Sequence, residues 1–250
     1  FTVIAGPSHG SLTGDPSHPS YRSNANFHGS DSFTFKANDG LLDSTPATFS
    51  ITVTPVNDAP VLSTAEGDQA GSYGSAFTFA IPANAFGDVD ADQTLSYSAA
   101  DLPPGITLNG PARSLTGTPT LAGSFAVTLT ATDNGTPALS VKSTFAIAIA
   151  KAPLSVTADN ASRDYGQVNP PLTGILRGVV LNDQILATYS TTAVADSSVG
   201  EYFIIPSLFN LDGKLANYAV LKTNGTLTIR NVPPQVNAGA DQEKVAGDEV

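Results

Sequence analysis

Thr52-Val53-Thr54-Pro55-Val56-Asn57-Asp58-Ala59-Pro60 reads as a β-strand running into a short, stiff connector that carries an Asn-Asp pair. Threonine and valine suit the extended pleat. The prolines at 55 and 60 fix φ, remove backbone donors and stop strand pairing. A strand that ends this way points to small β-domains joined in series. It directs attention to the joints between domains rather than to an active-site cleft.

The pattern recurs. Strand-rich segments also end in connectors at Ala150–Pro153 and Arg230–Pro234, which divides the chain into 1–59, 60–150, 151–230 and a stub, 231–250. Units of roughly 60–90 residues are large enough for small sandwich cores. Within them apolar and polar residues alternate in short runs: Ser32-Phe33-Thr34-Phe35, Phe49-Ser50-Ile51-Thr52-Val53, Phe125-Ala126-Val127-Thr128-Leu129, Phe145-Ala146-Ile147-Ala148-Ile149 and Thr226-Leu227-Thr228-Ile229. Period-two alternation broken by Gly, Asn and Pro predicts half-buried antiparallel strands, and several per segment predict β-sandwiches. The expected fold class is all-β: tandem β-sandwiches in an extended array, with a mostly-β third unit. The single helix expected is a turn or two near Asn182–Leu186.

Composition agrees. Among 250 residues there are 22 Gly and 18 Pro, no Cys, Met or Trp, and only 13% charged residues. The absence of cysteine excludes disulfides and thiolate metal sites, and leans towards a bacterial surface protein. A net charge of −11 argues against nucleic acid, whose phosphates need clustered Lys and Arg. It suits a secreted protein that gathers divalent cations. No apolar run approaches the ~20 residues that span a bilayer, so no membrane insertion is expected in this segment. The chain opens on Phe1 inside a strand pattern and reads as a portion of something longer.

Specific motifs sharpen the reading. Asn24-Ala25-Asn26-Phe27-His28-Gly29-Ser30-Asp31-Ser32-Phe33-Thr34-Phe35 followed by Ala37-Asn38-Asp39-Gly40 closely resembles the bacterial cadherin-like tandem repeat, in a copy short of its first strands. Residues 60–150 resemble the dystroglycan-type cadherin-like Ig family through Phe86-Gly87-Asp88-Val89-Asp90-Ala91-Asp92, Leu102-Pro103-Pro104-Gly105-Ile106, Leu115-Thr116-Gly117-Thr118-Pro119 and Ala131-Thr132-Asp133-Asn134-Gly135. Residues 151–230 resemble the MBG-type YG repeat through Asp164-Tyr165-Gly166, Asn169-Pro170-Pro171-Leu172, Val199-Gly200-Glu201-Tyr202 and Asn217-Tyr218-Ala219-Val220. The stub Pro233-Pro234-Gln235-Val236-Asn237-Ala238-Gly239 is similar to the first strand of a PKD-type domain. Together these resemblances imply tandem Ig/cadherin-like β-sandwiches, with a third unit that is β-grasp-like or Ig-like.

The resemblance to cadherin repeats implies a calcium joint between the first two domains. Its ligands would be Asn57, through a carbonyl oxygen, and Asp58 in the connector, Asp88, Asp90 and Asp92 in a DxD run, and Asp133 in an AxD motif. Calcium takes six to eight oxygen ligands. Alternate residues of an extended segment point the same way, so Asp88, Asp90 and Asp92 can converge, and a cation would relieve their repulsion. The chain departs from the pattern at Pro55, where the cadherin connector has another Asp, and lacks a clear equivalent of the preceding domain's glutamate. The alternative is a solvated acidic turn with an Asx-type cap. An EF-hand is excluded: with Asp88 as position 1, position 6 is Gln93 and position 12 is Ala99. The Ala150–Pro153 connector has no acidic residue, so proline and packing alone are expected to hold it.

Other motifs reduce to structure. Gly6-Pro7-Ser8-His9-Gly10 matches GxSxG, but a nucleophile elbow needs a strand, a sharp turn and a helix, and no helical pattern follows. No enzyme is expected. His9, His18 and His28 match no zinc spacing and read as turn residues. Asp31 reads as a turn support. Tyr165, Tyr202 and Tyr218 read as core or corner tyrosines.

The expected function is a non-catalytic stalk or fibre segment of a large extracellular bacterial adhesin or filament. Its expected partners are neighbouring domains or copies of the same chain, joined head to tail by strand addition at open edges, and a surface glycan or protein. The alternative is a set of accessory or glycan-binding modules of a large secreted enzyme.

Overall fold

The computed structural model describes residues 1–15, 17–90 and 92–233. The expected first strand of a fourth domain therefore lies, beyond Pro233, outside the described residues. Contacts divide the chain into two compact units. The first comprises Phe1–Gly71, Ala76–Thr118 and Ser124–Ala148; the second comprises Ser72–Ser75, Pro119–Gly123 and the chain from Ile149 onward.

The first unit begins with β1 (Thr2–Ala5), β2 (Gly10–Thr13), β3 (Ser20–Ser23), β4 (Gly29–Lys36) and β5 (Ala47–Val53). A three-stranded sheet runs β1-β4-β5, and β2 and β3 form a hairpin. The register pairs Phe33 with Phe49 and Asp31 with Ile51. Because side chains alternate across a strand, Phe33, Phe35, Phe49 and Ile51 share one face. Phe33 stacks on Phe49 at 5.3 Å between centroids, and Phe1 lies 5.4 Å from Phe35.

The second sandwich follows with β6 (Val61–Leu62), β7 (Gln69–Ser72), β8 (Phe77–Ala80), β9 (Phe86–Gly87), β10 (Ser96–Ala100), β11 (Ile106–Asn109), β12 (Ser114–Gly117), β13 (Gly123–Thr132) and β14 (Ser140–Ala150). Its sheets are β10-β13-β14-β7 and β11-β12-β8, with β6 paired to β9. The inward positions of β13 and β14 (Val127, Leu129, Ala131, Phe145, Ile147) are buried, as are Leu115, Ile106, Phe77 and Phe86. The LPPGI and LTGTP motifs meet in the β11–β12 pairing, Ile106 opposite Gly117. Gly117 has φ 148, a Cβ there would stand 2.0 Å from the Gly105 carbonyl oxygen, and the same oxygen accepts from the Thr118 N–H at 3.0 Å. Only glycine fits this approach.

The second unit contains β15 (Ala152–Ala158), β16 (Ala161–Asp164), β17 (Gly174–Arg177), β18 (Ile185–Ser190), β19 (Gly200–Asn210), β20 (Tyr218–Thr223) and β21 (Gly225–Arg230). One sheet is β17-β15-β20 and the other β16-β21-β19-β18, with β15 parallel to β20 and β16 parallel to β21. Ala158, Ala193, Ile204, Leu227 and Ile229 form a core closed by Leu172, Tyr189 and Tyr202. A β-grasp needs a helix laid across its sheet. Among the described residues the only helix is a four-residue 3₁₀ turn at Lys214–Asn217, so what is described of this unit is a two-sheet β-structure with no helix laid across it.

The helix expected near Asn182–Leu186 is corrected. Leu181 and Asn182 have φ of 55 and 57, a left-handed turn, and β18 starts at Ile185. Asparagine tolerates that conformation through local hydrogen bonding, and the turn overrides a weak helical pattern. Tyr218 is buried as expected, and the Tyr202 hydroxyl donates to the Ser198 carbonyl at 2.9 Å, a corner role. Tyr165 is instead exposed, beyond the end of β16.

Proline and packing alone do not hold the stretch around Ala150–Pro153, contrary to expectation. Asp183, in the second unit, accepts hydrogen bonds from the Tyr73 hydroxyl at 2.8 Å and the Tyr218 hydroxyl at 2.6 Å. The Asn217 side-chain carbonyl accepts from the Ala122 N–H at 3.0 Å. Burial, then the bond to Asp183, pushes the Tyr218 hydroxyl up to about 12, and the same causes raise Tyr73.

Candidate functional site

The connector after β5 is seated by its asparagine. Asn57 Nδ2 donates to Asp133 Oδ2 at 3.2 Å and to the Pro137 carbonyl at 2.9 Å, while its Oδ1 accepts from Gln93 Nε2. The Asp58 N–H donates to Asp90 Oδ2 at 2.9 Å. Gly135 makes room: a Cβ on it would lie 1.9 Å from Asn57 Oδ1. A hollow of about 430 Å³ opens alongside, lined by Pro55, Asn57, Asp90, Asp92, Gln93 and Thr136 among others.

The receiving loop is built on Asp133, whose N–H donates to the Leu139 carbonyl. Its Oδ1 accepts from the N–H groups of Gly135 and Leu139, both at 3.0 Å. The carboxyl is only 4% exposed as a residue. Burial alone would raise its pKa, but the bonds from Leu139, Gly135 and Asn57 prevail and hold it below the ordinary value. On the other side, Asp88 Oδ1 accepts from the Asp90 N–H at 2.9 Å, an Asx turn, and Gln93 Nε2 reaches Asp90 Oδ2 at 3.3 Å.

Of the six residues expected around an ion, Asn57, Asp58, Asp88, Asp90 and Asp133 are thus linked in one hydrogen-bonded set. Asp92 is exposed and makes no side-chain hydrogen bond among the described residues. Gln93 joins the set, although as a side chain its part was not legible in the sequence. The donors are all oxygens, which is the chemistry calcium takes. Two of them, Asp88 Oδ2 and Gln93 Oε1, are buried without a hydrogen-bond partner. The donor chemistry therefore fits such an ion, although amide nitrogens of Asn57 and Gln93 occupy lone pairs on Asp133 and Asp90. Among the described residues no three His, Asp or Glu side chains lie close enough to hold a metal as they stand.

The remaining candidates are structural. In the GxSxG loop it is the backbone N–H of Ser8, with that of His9, that donates to Asp31, at 2.9 and 3.0 Å. Asp31 also accepts from the Tyr21 hydroxyl and the Ser32 N–H, each at 2.9 Å, so this buried carboxylate is fully used in holding the turn. His9 stacks on Phe27, and His18 and His28 are exposed. Between the hairpin and sheet of the first sandwich lies an apolar slot of about 340 Å³ lined by Phe1, Leu12, Tyr21, Phe33, Phe49 and Ile51 among others.

Comparison with known proteins agrees with this architecture. Residues 1–52 match the family described as "Bacterial Ig domain", residues 59–150 that described as "Putative Ig domain", and residues 154–228 that described as "MBG domain (YGX type)". No curated protein matches the chain. Among solved structures it is similar to the human desmocollin-1 ectodomain, at 12% identity and TM-score 0.39 over 94% of this chain and 56% of that one. It is similar to protocadherin gammaB7 EC3-6, at 15% identity and TM-score 0.43 over 91% and 66%. A nucleoside hydrolase-related hypothetical protein from Saccharophagus degradans shares 24% identity at TM-score 0.29, over 38% of this chain and 26% of that one. The chain spans about half the length of the desmocollin ectodomain it matches. Domains of the matched families are typically non-catalytic and suggest an extracellular structural or adhesion module. No helix among the described residues is long and apolar enough to cross a membrane. Three successive family matches mark the chain as a tandem array of Ig-like and MBG-type domains.

Proposed function

We propose that the chain is a non-catalytic stalk or fibre segment of a bacterial cell-surface or secreted adhesin, with its first joint stiffened by the seated connector and by calcium. The observation that carries this reading is Asn57, held at once by Asp133, Pro137 and Gln93. A flexible linker would leave such an amide in solvent. Calcium would be held by Asp88, Asp90 and Asp133 with the connector residues Asn57 and Asp58, and by Asp92 at the open rim. It would supply the positive charge that lets these carboxylates sit together. The buried, unpartnered oxygens of Asp88 and Gln93 support this. The test is thermal melting with calcium and with chelator, alongside calorimetric titration of calcium. A higher melting temperature with calcium that Asp90→Asn abolishes is expected. An unchanged melt with no heat of binding removes the ion and leaves the Asn57 anchor alone.

The partners in this reading are neighbouring β-domains. The apolar slot of the first sandwich, beside the outer edge of β5, which is unpaired among the described residues, supports the addition of an alternating apolar strand from such a neighbour. Sedimentation tests whether a second copy is the donor. Concentration-dependent head-to-tail assembly is expected, and a monomer at every concentration rejects strand exchange between copies.

A further inference from the structure

The outer faces of the second and third sandwiches are chemically unlike. On β13 and β14 the less buried positions are Thr128, Thr130 and Thr132, with Lys142, Thr144, Ala146 and Ala148. On β19 they include Glu201, Phe203, Ile205, Ser207 and Phe209, and on β18 Leu186, Thr188 and Ser190, all exposed. Ile185 and Ile204, on the other side of the same two strands, are buried. Alternation therefore gives this sheet an ordinary core side and an apolar outer side.

Phe203, Leu186, Phe209 and Ile205 stand 68%, 55%, 52% and 46% exposed. The strand register makes them one patch. Leu186 lies opposite Phe209, Thr188 opposite Ser207, Ser190 opposite Ile205, and Thr226 of β21 opposite Phe203. Apolar residues scattered singly on a surface are ordinary, whereas a contiguous row marks an interaction surface.

Two features point to what covers it. The first is size. Along β19 the row runs Phe203, Ile205, Ser207, Phe209: large, large, small, large. Turned end for end about its middle, near Pro206, the row fits itself. Phe203 then meets Phe209, and Ile205 enters the hollow left by Ser207. The second is charge. The chain carries a net charge of −11, which sets most of its surface against a second copy. The middle of this face is uncharged, and Glu201, Arg230 and Asp164 lie only at its rim. An uncharged aromatic centre with a polar rim is the usual make-up of a protein contact.

We propose that the outer face of the β16-β21-β19-β18 sheet pairs with the same face of a second copy, the two β19 strands running in opposite directions. The sheets would pack about 10 Å apart, as in a sandwich. The contact is isologous, so it closes at two copies and joins chains side by side. It depends neither on calcium nor on the seating of Asn57. From Glu201 to Phe209 the face is roughly 27 Å long, and three strands make it roughly 14 Å wide. That is small beside the ~800 Å² per partner of a stable complex, so pairing is expected on the order of 100 μM and above.

Sedimentation equilibrium of the full chain up to millimolar concentration tests this, with Phe203→Ser and Ser207→Arg alongside. Both positions are exposed, so both variants should keep the fold, which circular dichroism checks. Ser207→Arg fills the hollow and brings two like charges together. A dimer that grows no further, and that each variant weakens about tenfold or more, is expected. A monomer at every concentration overturns the proposal, as does a dimer that either variant leaves unchanged. Growth beyond two copies that neither variant weakens belongs to head-to-tail strand addition and overturns the closed pair. A monomer retained on a neutral polysaccharide matrix, with retention lost in Phe203→Ser, gives the face to a glycan and rejects the second copy as its occupant.

Discussion

The first and second sandwiches share one alternating pattern yet differ in how far it is buried. In the second, Leu115, Val127, Leu129 and Ile147 are fully buried between two sheets. In the first, Phe49 and Phe1 face the same kind of interior but remain 55% and 45% exposed. Side-chain alternation assigns a residue to a face; only the strands laid over that face remove it from water. The same contrast holds at the Ala-x-Asp loops after β4 and β13, where Asp133 is covered by a connector and Asp39 is bare. Burial at equivalent positions is therefore set by neighbours rather than by local sequence.

The largest test of that contrast is truncation in the two cores. Leu129→Ala should cost about 2–5 kcal/mol, the loss of a fully buried side chain plus its cavity. Phe49→Ala should cost much less, under about 1 kcal/mol. Urea unfolding of both variants measures the difference. Equal losses would mean that the first sandwich is covered as well as the second.

Asp183→Asn comes next. Two tyrosine hydroxyls donate to this carboxylate, and bonds to a charged group contribute roughly 1.5–3 kcal/mol. A loss in that range is expected on melting, and Tyr73→Phe should take away about 1 kcal/mol. An additive double variant, Tyr73→Phe with Asp183→Asn, would show that the two side chains do not cooperate.

At the joint, Gly135→Ala should displace the Asn57 side chain and destabilise by about 1–2 kcal/mol, close to the loss from Asn57→Ala. The double variant should add little to either single one. Full additivity would break the link between Gly135 and the seated amide.

The smallest effect is on pH dependence. The folded-state pKa of Asp133 lies below its ordinary value, so the unfolded chain binds the proton more readily. This contribution is fully present above the unfolded pKa of about 4 and is lost as pH falls through the folded value. Asn57→Ala removes one of the lowering bonds and should move the Asp133 carboxyl titration upwards in NMR. An unmoved titration would assign the depression to the loop amides of Leu139 and Gly135 alone.

Much of the fold was legible because it rests on local chemistry. Phe33, Val127 and Ile147 alternate with small or polar neighbours, and Pro55 follows the end of β5 at Val53. Gly117 lies in a motif that needs a bare backbone. The two-residue turn at Leu181 and Asn182 was missed because its left-handed geometry follows from what it connects. At the joint, Asn57, Asp58, Asp88, Asp90 and Asp133 were picked out by motif, but Gln93 was not. A glutamine in a turn has no distinguishing spacing, and only the approach of residues 36 positions apart gives its amide a partner.

By itself the sequence determined the all-β class, the tandem arrangement and the connector that carries Asn57, because period-two alternation, proline and glycine act within a few residues of themselves. Tertiary structure decided which of the equivalent positions are covered. It laid Asn57 across the Asp133 loop, left Leu41 and Leu42 in water, and brought Tyr73 and Tyr218 onto Asp183. Those outcomes depend on hydrogen bonds and packing between residues far apart in the chain, whose partners no local pattern names.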